Sequence, residues 1–169
     1  MVLANDVPVK PVLDHPPQQI TAPLALEPAD VAVVGVDFAP DSFVGGIVQP
    51  GAALVAREGD FGFSASNGTP EAGHDVELVN FSTSGPLQLS QQRFAHNTTF
   101  DQAFTDNGVR GINRPTNLRF GPDGCAYLVD YGAVRDFGQS DPATKFVTPG
   151  EGPLVQIPGT GVIWKICKE

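Results

Sequence analysis

The sequence predicts an all-β fold, and three observations support this prediction. Nineteen glycines and sixteen prolines among 169 residues indicate frequent turns and disfavour long helices. No convincing stretch carries apolar residues at helical spacing, whereas short alternating runs recur between turn residues. With 41% hydrophobic and 17% charged residues, the chain has the composition of one globular domain rather than of a disordered segment.

Charge and hydropathy argue against two classes of partner. The formal net charge is -9, and only ten lysines and arginines are spread along the chain, whereas a nucleic-acid backbone needs a cationic surface. No run of about 18 apolar residues is present, so the sequence predicts no membrane span. The first thirteen residues show no basic start and no apolar core, so a signal peptide is not visible in them.

The chain divides into two parts by composition. Residues 1–28 contain a Pro16-Pro17 pair within a proline-rich stretch, and proline can neither donate to a strand ladder nor continue a helix. They are predicted to form an extended arm or connector. Residues 29–169 are predicted to contain the strands and the long loops between them.

A first unit of strands is predicted between residues 31 and 94. Residues 31–40 are dense enough in valine to predict a strand buried on both faces. Further strands are predicted at residues 51–60, at residues 74–81, where polar and apolar residues alternate, and more weakly at residues 92–94. The Gly/Ser/Asn-rich residues 61–73 are predicted to form a surface loop.

A second unit repeats the same order of strand, tight turn, strand, long loop and strand. Its strands are predicted at residues 117–120, 125–130 and 161–166, and the turn residues Gly121 to Gly124 join the first two. The loop at residues 131–160 is long for a β connection. Repetition at roughly 40 to 50 residues is typical of β-propeller blades. The sequence therefore predicts a partial β-propeller of about two four-stranded antiparallel blades.

Motifs in both units resemble the glucose/sorbosone dehydrogenase family of β-propellers. GVDFAPDSFVGGIVQPGAALVAREGD resembles the penultimate blade of that family, while GINRPTNLRFGPDGCAYLVDYG and the terminal GVIWKI resemble its last blade. The resemblance covers about residues 23–168, and a strand followed by GPDG and another strand also occurs in other propellers.

The resemblance implies a pyrroloquinoline quinone cofactor and a Ca²⁺ ion above the propeller axis, where a sugar hydroxyl or aldehyde would be oxidised. A tricarboxylate cofactor needs Arg and Lys partners, and Arg114 falls where the family places an arginine against the cofactor. Thr116 stands where soluble glucose dehydrogenases carry a second arginine, and Glu58 and Gly59 occupy the region of an expected lysine. The catalytic histidine and the Ca²⁺ loop belong to earlier blades of the family, so no catalytic residue and no metal ligand are assigned here.

Two further pairs of residues have two interpretations each. Asp130 and Tyr131 lie at a strand end where the family often carries an acidic residue near the substrate, but such an aspartate can equally accept backbone hydrogen bonds. His74, with Asp75 beside it, could belong to a cation site. A solvated polar loop is the preferred interpretation, because no ligand spacing such as that of an EF-hand is present.

The two cysteines allow a geometric prediction. If residues 125–130 and 161–166 are adjacent antiparallel strands, with Tyr127 opposite Lys165 and Val129 opposite Ile163, then Cys125 faces Cys167 within reach of a disulfide. The alternative is two small buried thiols. A disulfide would favour an extracytoplasmic location, periplasmic or secreted, because such bonds are rare in a reducing cytosol.

Two blades are too few to close a propeller, since closed rings have about 4 to 8 blades. The missing blades would come from a longer polypeptide of which this is the C-terminal part, from further copies, or from another subunit. Two functions follow. The chain is either the C-terminal part of a quinone-dependent sugar dehydrogenase, or a noncatalytic propeller fragment acting in binding or assembly.

Overall fold

The computed structural model describes residues 3–4, 7–8, 25–28, 31–59, 73–82, 84–85, 87–98, 111–136, 154–156 and 158–169. Within these residues the regular structure is β-strand, apart from one 3-10 turn at Asp41–Phe43. The strands are β1 Leu3–Ala4, β2 Val7–Pro8, β3 Val33–Phe38, β4 Ala53–Arg57, β5 Asp75–Phe81, β6 Leu89–His96, β7 Pro115–Phe120, β8 Ala126–Asp130, β9 Val134–Asp136, β10 Leu154–Gln156 and β11 Val162–Ile166. The prediction of an all-β fold is confirmed.

The first sheet has four antiparallel strands in the order β3-β4-β5-β6. The strands predicted at residues 51–60 and 74–81 are β4 and β5 in its centre, where nearly every residue is buried. The strand weakly predicted at residues 92–94 is present and longer, as the eight-residue strand β6, and all of its residues are at least partly exposed. The full length of β6 could not be predicted from its polar sequence, because an edge strand needs few apolar residues.

The prediction that residues 31–40 form a strand buried on both faces is wrong. In β3, Val33 is 50% exposed, Val34 42%, Val36 49% and Phe38 61%. The physical reason is position, because β3 is an edge strand whose one ladder partner among the described residues is β4. A valine-rich sequence shows that a strand can be buried, but it does not show that a neighbouring element is present to bury it.

The second sheet has three antiparallel strands in the order β11-β8-β7. Tyr127 pairs with Lys165 and Val129 with Ile163, so the predicted register is confirmed. The turn between β7 and β8 needs glycine at Gly124, whose φ is 77°, a value that side-chain-bearing residues rarely adopt. The sheet thus has one strand fewer, among the described residues, than the four predicted for a blade.

The two sheets share one hydrophobic core. It contains buried leucines from β4, β5, β7 and β8, which are Leu54, Leu78, Leu118 and Leu128, and Trp164 of β11 packs against it. Strands β3 and β7 come so close that a Cβ atom at Gly35 would lie 2.8 Å from the Cα of Asn117. Two antiparallel sheets packed in this way form two neighbouring blades, a partial β-propeller.

Several predicted segments lie wholly or partly outside the described residues. For the arm at residues 1–28, the structure describes only the paired strands β1 and β2 and residues 25–28. Of the loop predicted at residues 61–73, it describes only Gly73. The loop at residues 131–160 contains the antiparallel pair β9 and β10, and residues 137–153 and 157 are outside the description. In the part of the chain that is described, no helix is long and apolar enough to cross a membrane.

Candidate functional site

A disulfide joins the chain just before β8 to the chain just after β11, at one end of the second sheet. Cys125 and Cys167 are bonded, with their Cα atoms 4.5 Å apart. Ala126 pairs with Ile166 in the ladder of β8 and β11, so the two cysteines are the next facing residues beyond that ladder. The predicted bond is therefore present, and the alternative of two free buried thiols is not what the structure contains.

Asp130, at the end of β8, is a buried acceptor of four N–H groups and is only 2% exposed. Its Oδ1 accepts hydrogen bonds from the backbone N–H groups of Arg114 at 2.8 Å and Gly132 at 2.9 Å. Its Oδ2 accepts from the backbone N–H of Asn113 at 2.8 Å and from the indole Nε1–H of Trp164 at 3.2 Å. One carboxylate thereby holds the start of β7, the end of β8 and strand β11 together.

Arg114, predicted to contact a cofactor carboxylate, lies in the protein interior with 2% of its surface exposed. Its Nη1 donates to the backbone carbonyl of Gly59 at 3.1 Å, just beyond the end of β4. The side chain thus reaches from the second blade to the first. This hydrogen bond joins the two neighbouring blades.

Thr116 and Tyr131, the other two predicted site residues, lie nearer the surface. The hydroxyl of Thr116 donates to the carbonyl of Val129 at 3.3 Å, across the ladder of β7 and β8. Tyr131 follows β8 directly and is 48% exposed. The fold therefore brings all four predicted site residues to the start of β7 and the end of β8. Arg114 and Asp130, the two charged ones, have partners inside the protein.

The interpretation of His74 and Asp75 as part of a solvated loop is wrong. His74 is 2% exposed and Asp75 is fully buried. The Nδ1 atom of His74 lies 2.7 Å from the carbonyl oxygen of Asn113, so this ring also links the two blades. The polar residues around it in sequence suggested solvent, but His74 directly precedes β5 and contacts the segment that leads into β7.

A buried cluster of charges surrounds Arg57 and was not predicted from the sequence. The guanidinium donates twice to Asp75, from Nε and Nη2, both at 2.7 Å, and its Nη1 donates to Glu77 and Glu27, both at 2.9 Å. Arg93 adds a second cation, with its Nε 3.2 Å from Asp75. These residues make up the Arg57 cluster, together with Gln91, whose Nε2 donates to Glu27 at 2.9 Å and to Glu77 at 3.1 Å.

The carboxyl groups of Glu27 and Glu77 share the same two donors, Arg57 and Gln91, and this arrangement changes the proton affinity of Glu77. Burial, followed by the neighbouring Glu27 carboxyl, raises the pKa of Glu77 from 4.5 to about 7, although Gln91 and Arg57 act in the opposite direction. The signal in the sequence was the alternation of Asp75 and Glu77 along β5, which placed both on one face. This alternation alone could not show that the face is covered or that Arg57 lies opposite Asp75 on β4.

The face of the first sheet that carries the Arg57 cluster also has an exposed apolar margin. Alternation along β4 places Ala53 and Val55 on the same face as Arg57, and Val36 and Phe38 lie opposite them on β3. The ring of Phe38 contacts that of Phe81, with centroids 6.3 Å apart. We refer to the four exposed residues Val33, Val34, Val36 and Phe38 as the β3 apolar edge.

A second exposed apolar surface lies on the outer face of the second sheet. Val129 and Ile163 face each other across the ladder of β8 and β11 and are 40% and 66% exposed. Tyr131 extends this surface beyond the end of β8. These three residues are called the β8–β11 patch.

No known protein family, curated protein or solved structure matched the chain. The resemblance to glucose/sorbosone dehydrogenases, and with it the quinone cofactor, therefore stays a prediction from sequence motifs. Across the described ranges, no group of three or more His, Cys, Asp or Glu side chains is arranged to hold a metal ion. What the structure defines is a pair of propeller blades, joined internally by polar contacts and bearing two exposed apolar surfaces.

Proposed function

We propose that this chain is a noncatalytic two-blade sector of a β-propeller that acts in binding and assembly with further blades. The observation that carries the proposal is the β3 apolar edge, where Phe38 is 61% exposed although it lies beside the small buried cluster of Ala53, Val55 and Val79. In a closed propeller every blade is covered on both sides by its neighbours. An edge strand that presents valine and phenylalanine to water is a surface that other blades would cover.

The internal partners of the predicted site residues favour assembly over catalysis. A cofactor carboxylate would need the Arg114 guanidinium as its partner, yet this group is buried and donates to Gly59 of the neighbouring blade. A catalytic role for Asp130 would need a lone pair facing substrate, yet both oxygens already accept two hydrogen bonds each. The contact of Arg114 thus joins the two blades, and those of Asp130 hold the strand ends of the second blade together.

A quinone titration tests the noncatalytic part of the proposal. Pyrroloquinoline quinone would be titrated into the chain with and without Ca²⁺, and binding would be followed by calorimetry. We expect no saturable heat in either condition. Stoichiometric Ca²⁺-dependent binding that is lost in Arg114→Ala and kept in Arg119→Ala would overturn the proposal and support the dehydrogenase. Arg119 is the matched control, since it also donates to a backbone carbonyl of the first blade, that of Val36, but is exposed.

We also propose an extracytoplasmic location, periplasmic or secreted, on the basis of the disulfide between Cys125 and Cys167. Thiol titration in denaturant should detect no free thiol in the oxidised protein and two after reduction. Two free thiols in protein isolated from its native compartment under thiol-blocking conditions would contradict the location.

A further inference from the structure

We infer that residues 25–28 form a pH-sensitive strap, which Glu27 attaches to the first sheet and which is released when the Arg57 cluster loses a proton. Leu26 is 83% exposed, whereas the side chain of Glu27 is 21% exposed. The Glu27 carboxyl group accepts one hydrogen bond on each oxygen, from Nη1 of Arg57 and from Nε2 of Gln91, both at 2.9 Å. These two hydrogen bonds attach the strap to β4 and β6.

The chain that follows the strap is fixed by separate contacts. The carbonyl oxygens of Val31 and Ala32 accept backbone hydrogen bonds from Gly59 and Glu58, at 2.9 Å and 3.0 Å. Val31 is also buried, with 3% of its surface exposed. Release of Glu27 therefore leaves β3 in its sheet, and the strap can detach without unfolding of the first blade.

The carboxyl group that holds the strap shares both of its donors with a second carboxyl group. Nη1 of Arg57 donates to Glu27 and to Glu77, at 2.9 Å each. Nε2 of Gln91 also donates to both, at 2.9 Å and 3.1 Å. Two carboxylates held between the same donors repel each other, and one bound proton turns this repulsion into a hydrogen bond between them.

The charges of the Arg57 cluster balance when one proton is bound. Glu77 faces Arg57 on β4, Arg93 on β6 and Glu27 of the strap. Asp75 lies on the same strand as Glu77 and pairs with both guanidinium groups. Three carboxylates and two guanidinium groups have a net charge of -1, and one proton makes the cluster neutral. Because a buried net charge is unfavourable, the covered cluster retains this proton.

Attachment of the strap and binding of the proton are therefore linked. Burial, followed by the neighbouring Glu27, raises the pKa of Glu77 from 4.5 to about 7, and release of the strap removes Glu27 from that carboxyl. The attached state thus binds more protons than the released state. The stabilisation of the attached state by this proton is complete below pH about 4.5 and is lost as the pH rises through 7, by at most about tenfold per pH unit. The strap covers the cluster at low pH and uncovers it as the pH rises.

A nitroxide spin label on Leu26→Cys in the oxidised full-length chain measures attachment. Leu26 is exposed, and both native cysteines are joined in the disulfide, so the label reacts at one position. The spectrum recorded between about pH 5 and pH 9 gives the ratio of released to attached strap. We expect this ratio to rise by up to about tenfold per pH unit and to level off above pH about 7. The same label on Ile47→Cys, which is 54% exposed and outside the cluster, should show constant mobility.

Three substitutions in the labelled chain identify the group that responds to pH. Glu77→Gln should keep the strap attached at every pH, because its amide donates to Glu27 where the proton did. Glu27→Ala should release the strap at every pH. Histidines titrate in the same pH range, and His96 pairs with Asp75 in the ladder of β5 and β6. His96→Gln is therefore the control, and it should keep the wild-type response.

Equal label mobility in the wild-type background at both ends of the pH range would overturn the inference. A pH response that persists in Glu77→Gln, or one that disappears in His96→Gln, would also overturn it. Circular dichroism of each variant verifies that it is folded. If Glu77→Gln does not fold, Glu27→Gln replaces it, since it also removes one of the two acids, and a response that persists there would overturn the inference in the same way.

Discussion

Replacement of Asp130 by asparagine should destabilise the fold strongly. The four N–H groups that donate to the carboxylate come in two pairs, one pair at each oxygen. In Asp130→Asn, one oxygen keeps its pair, while the amide NH₂ opposes two N–H donors that then have no acceptor. An unsatisfied buried donor costs about 1–3 kcal/mol, so we expect a loss of about 2–6 kcal/mol in the free energy of unfolding.

Urea unfolding monitored by tryptophan fluorescence is the assay. Trp164 is the only tryptophan of the chain and donates to Asp130, so it reports on this part of the second blade. Asp123→Asn is the control, because Asp123 lies in the turn between β7 and β8 of the same sheet and pairs with Lys165 in an exposed position. It should unfold close to wild type.

The result that would refute this reasoning is an Asp130→Asn variant within about 0.5 kcal/mol of wild type, the range of ordinary surface substitutions. Such a result would mean that the carboxylate does not organise the strand ends. Its interpretation as a substrate-proximal residue would then regain support.

Three further predictions concern other parts of the fold. Gly35→Ala should cost about 1–3 kcal/mol in urea unfolding, because the new methyl would lie 2.8 Å from a backbone atom of Asn117, and no loss would contradict the close packing of β3 on β7. Because the pKa of Glu77 is raised from 4.5 to about 7, the stability that its protonation supplies is complete below pH about 4.5 and is lost as the pH rises through 7. Glu77→Gln should therefore show a flatter fall in stability than wild type between pH 5 and pH 8, and parallel curves would contradict the assignment. Reduction of the bond between Cys125 and Cys167, which are 42 residues apart, should lower the free energy of unfolding by about 4 kcal/mol, because the unfolded chain then gains loop entropy. An unchanged melting temperature after reduction would contradict a stabilising role of the disulfide.

Local patterns predicted the strands and their register well. The Gly121 to Gly124 turn fixes how β7 and β8 pair, and alternation then fixes which residues face each other, down to the disulfide. Residues 31–40 were misjudged because valine content reports the propensity of a strand and not the presence of neighbours. The burial of β3 depends on elements that this chain does not supply among its described residues.

The candidate site was harder to predict, since its character depends on contacts between distant residues. Arg114 and Asp130 were located correctly at adjacent strand ends, but only the structure shows that both have internal partners. The Arg57 cluster joins residues from position 27 to position 93, and no local spacing connects Glu27 with Arg57. Charges on alternating strand positions suggest a solvated face unless the sheet register and its covering are known.

Native mass spectrometry of the oxidised chain, without reducing agent, tests the central claim most directly. The account predicts that no species carries a quinone-sized adduct, even after addition of pyrroloquinoline quinone and Ca²⁺, because Arg114 and Asp130 already have partners inside the protein. An assembly that carries a quinone-sized adduct with calcium would contradict the noncatalytic role and support the dehydrogenase.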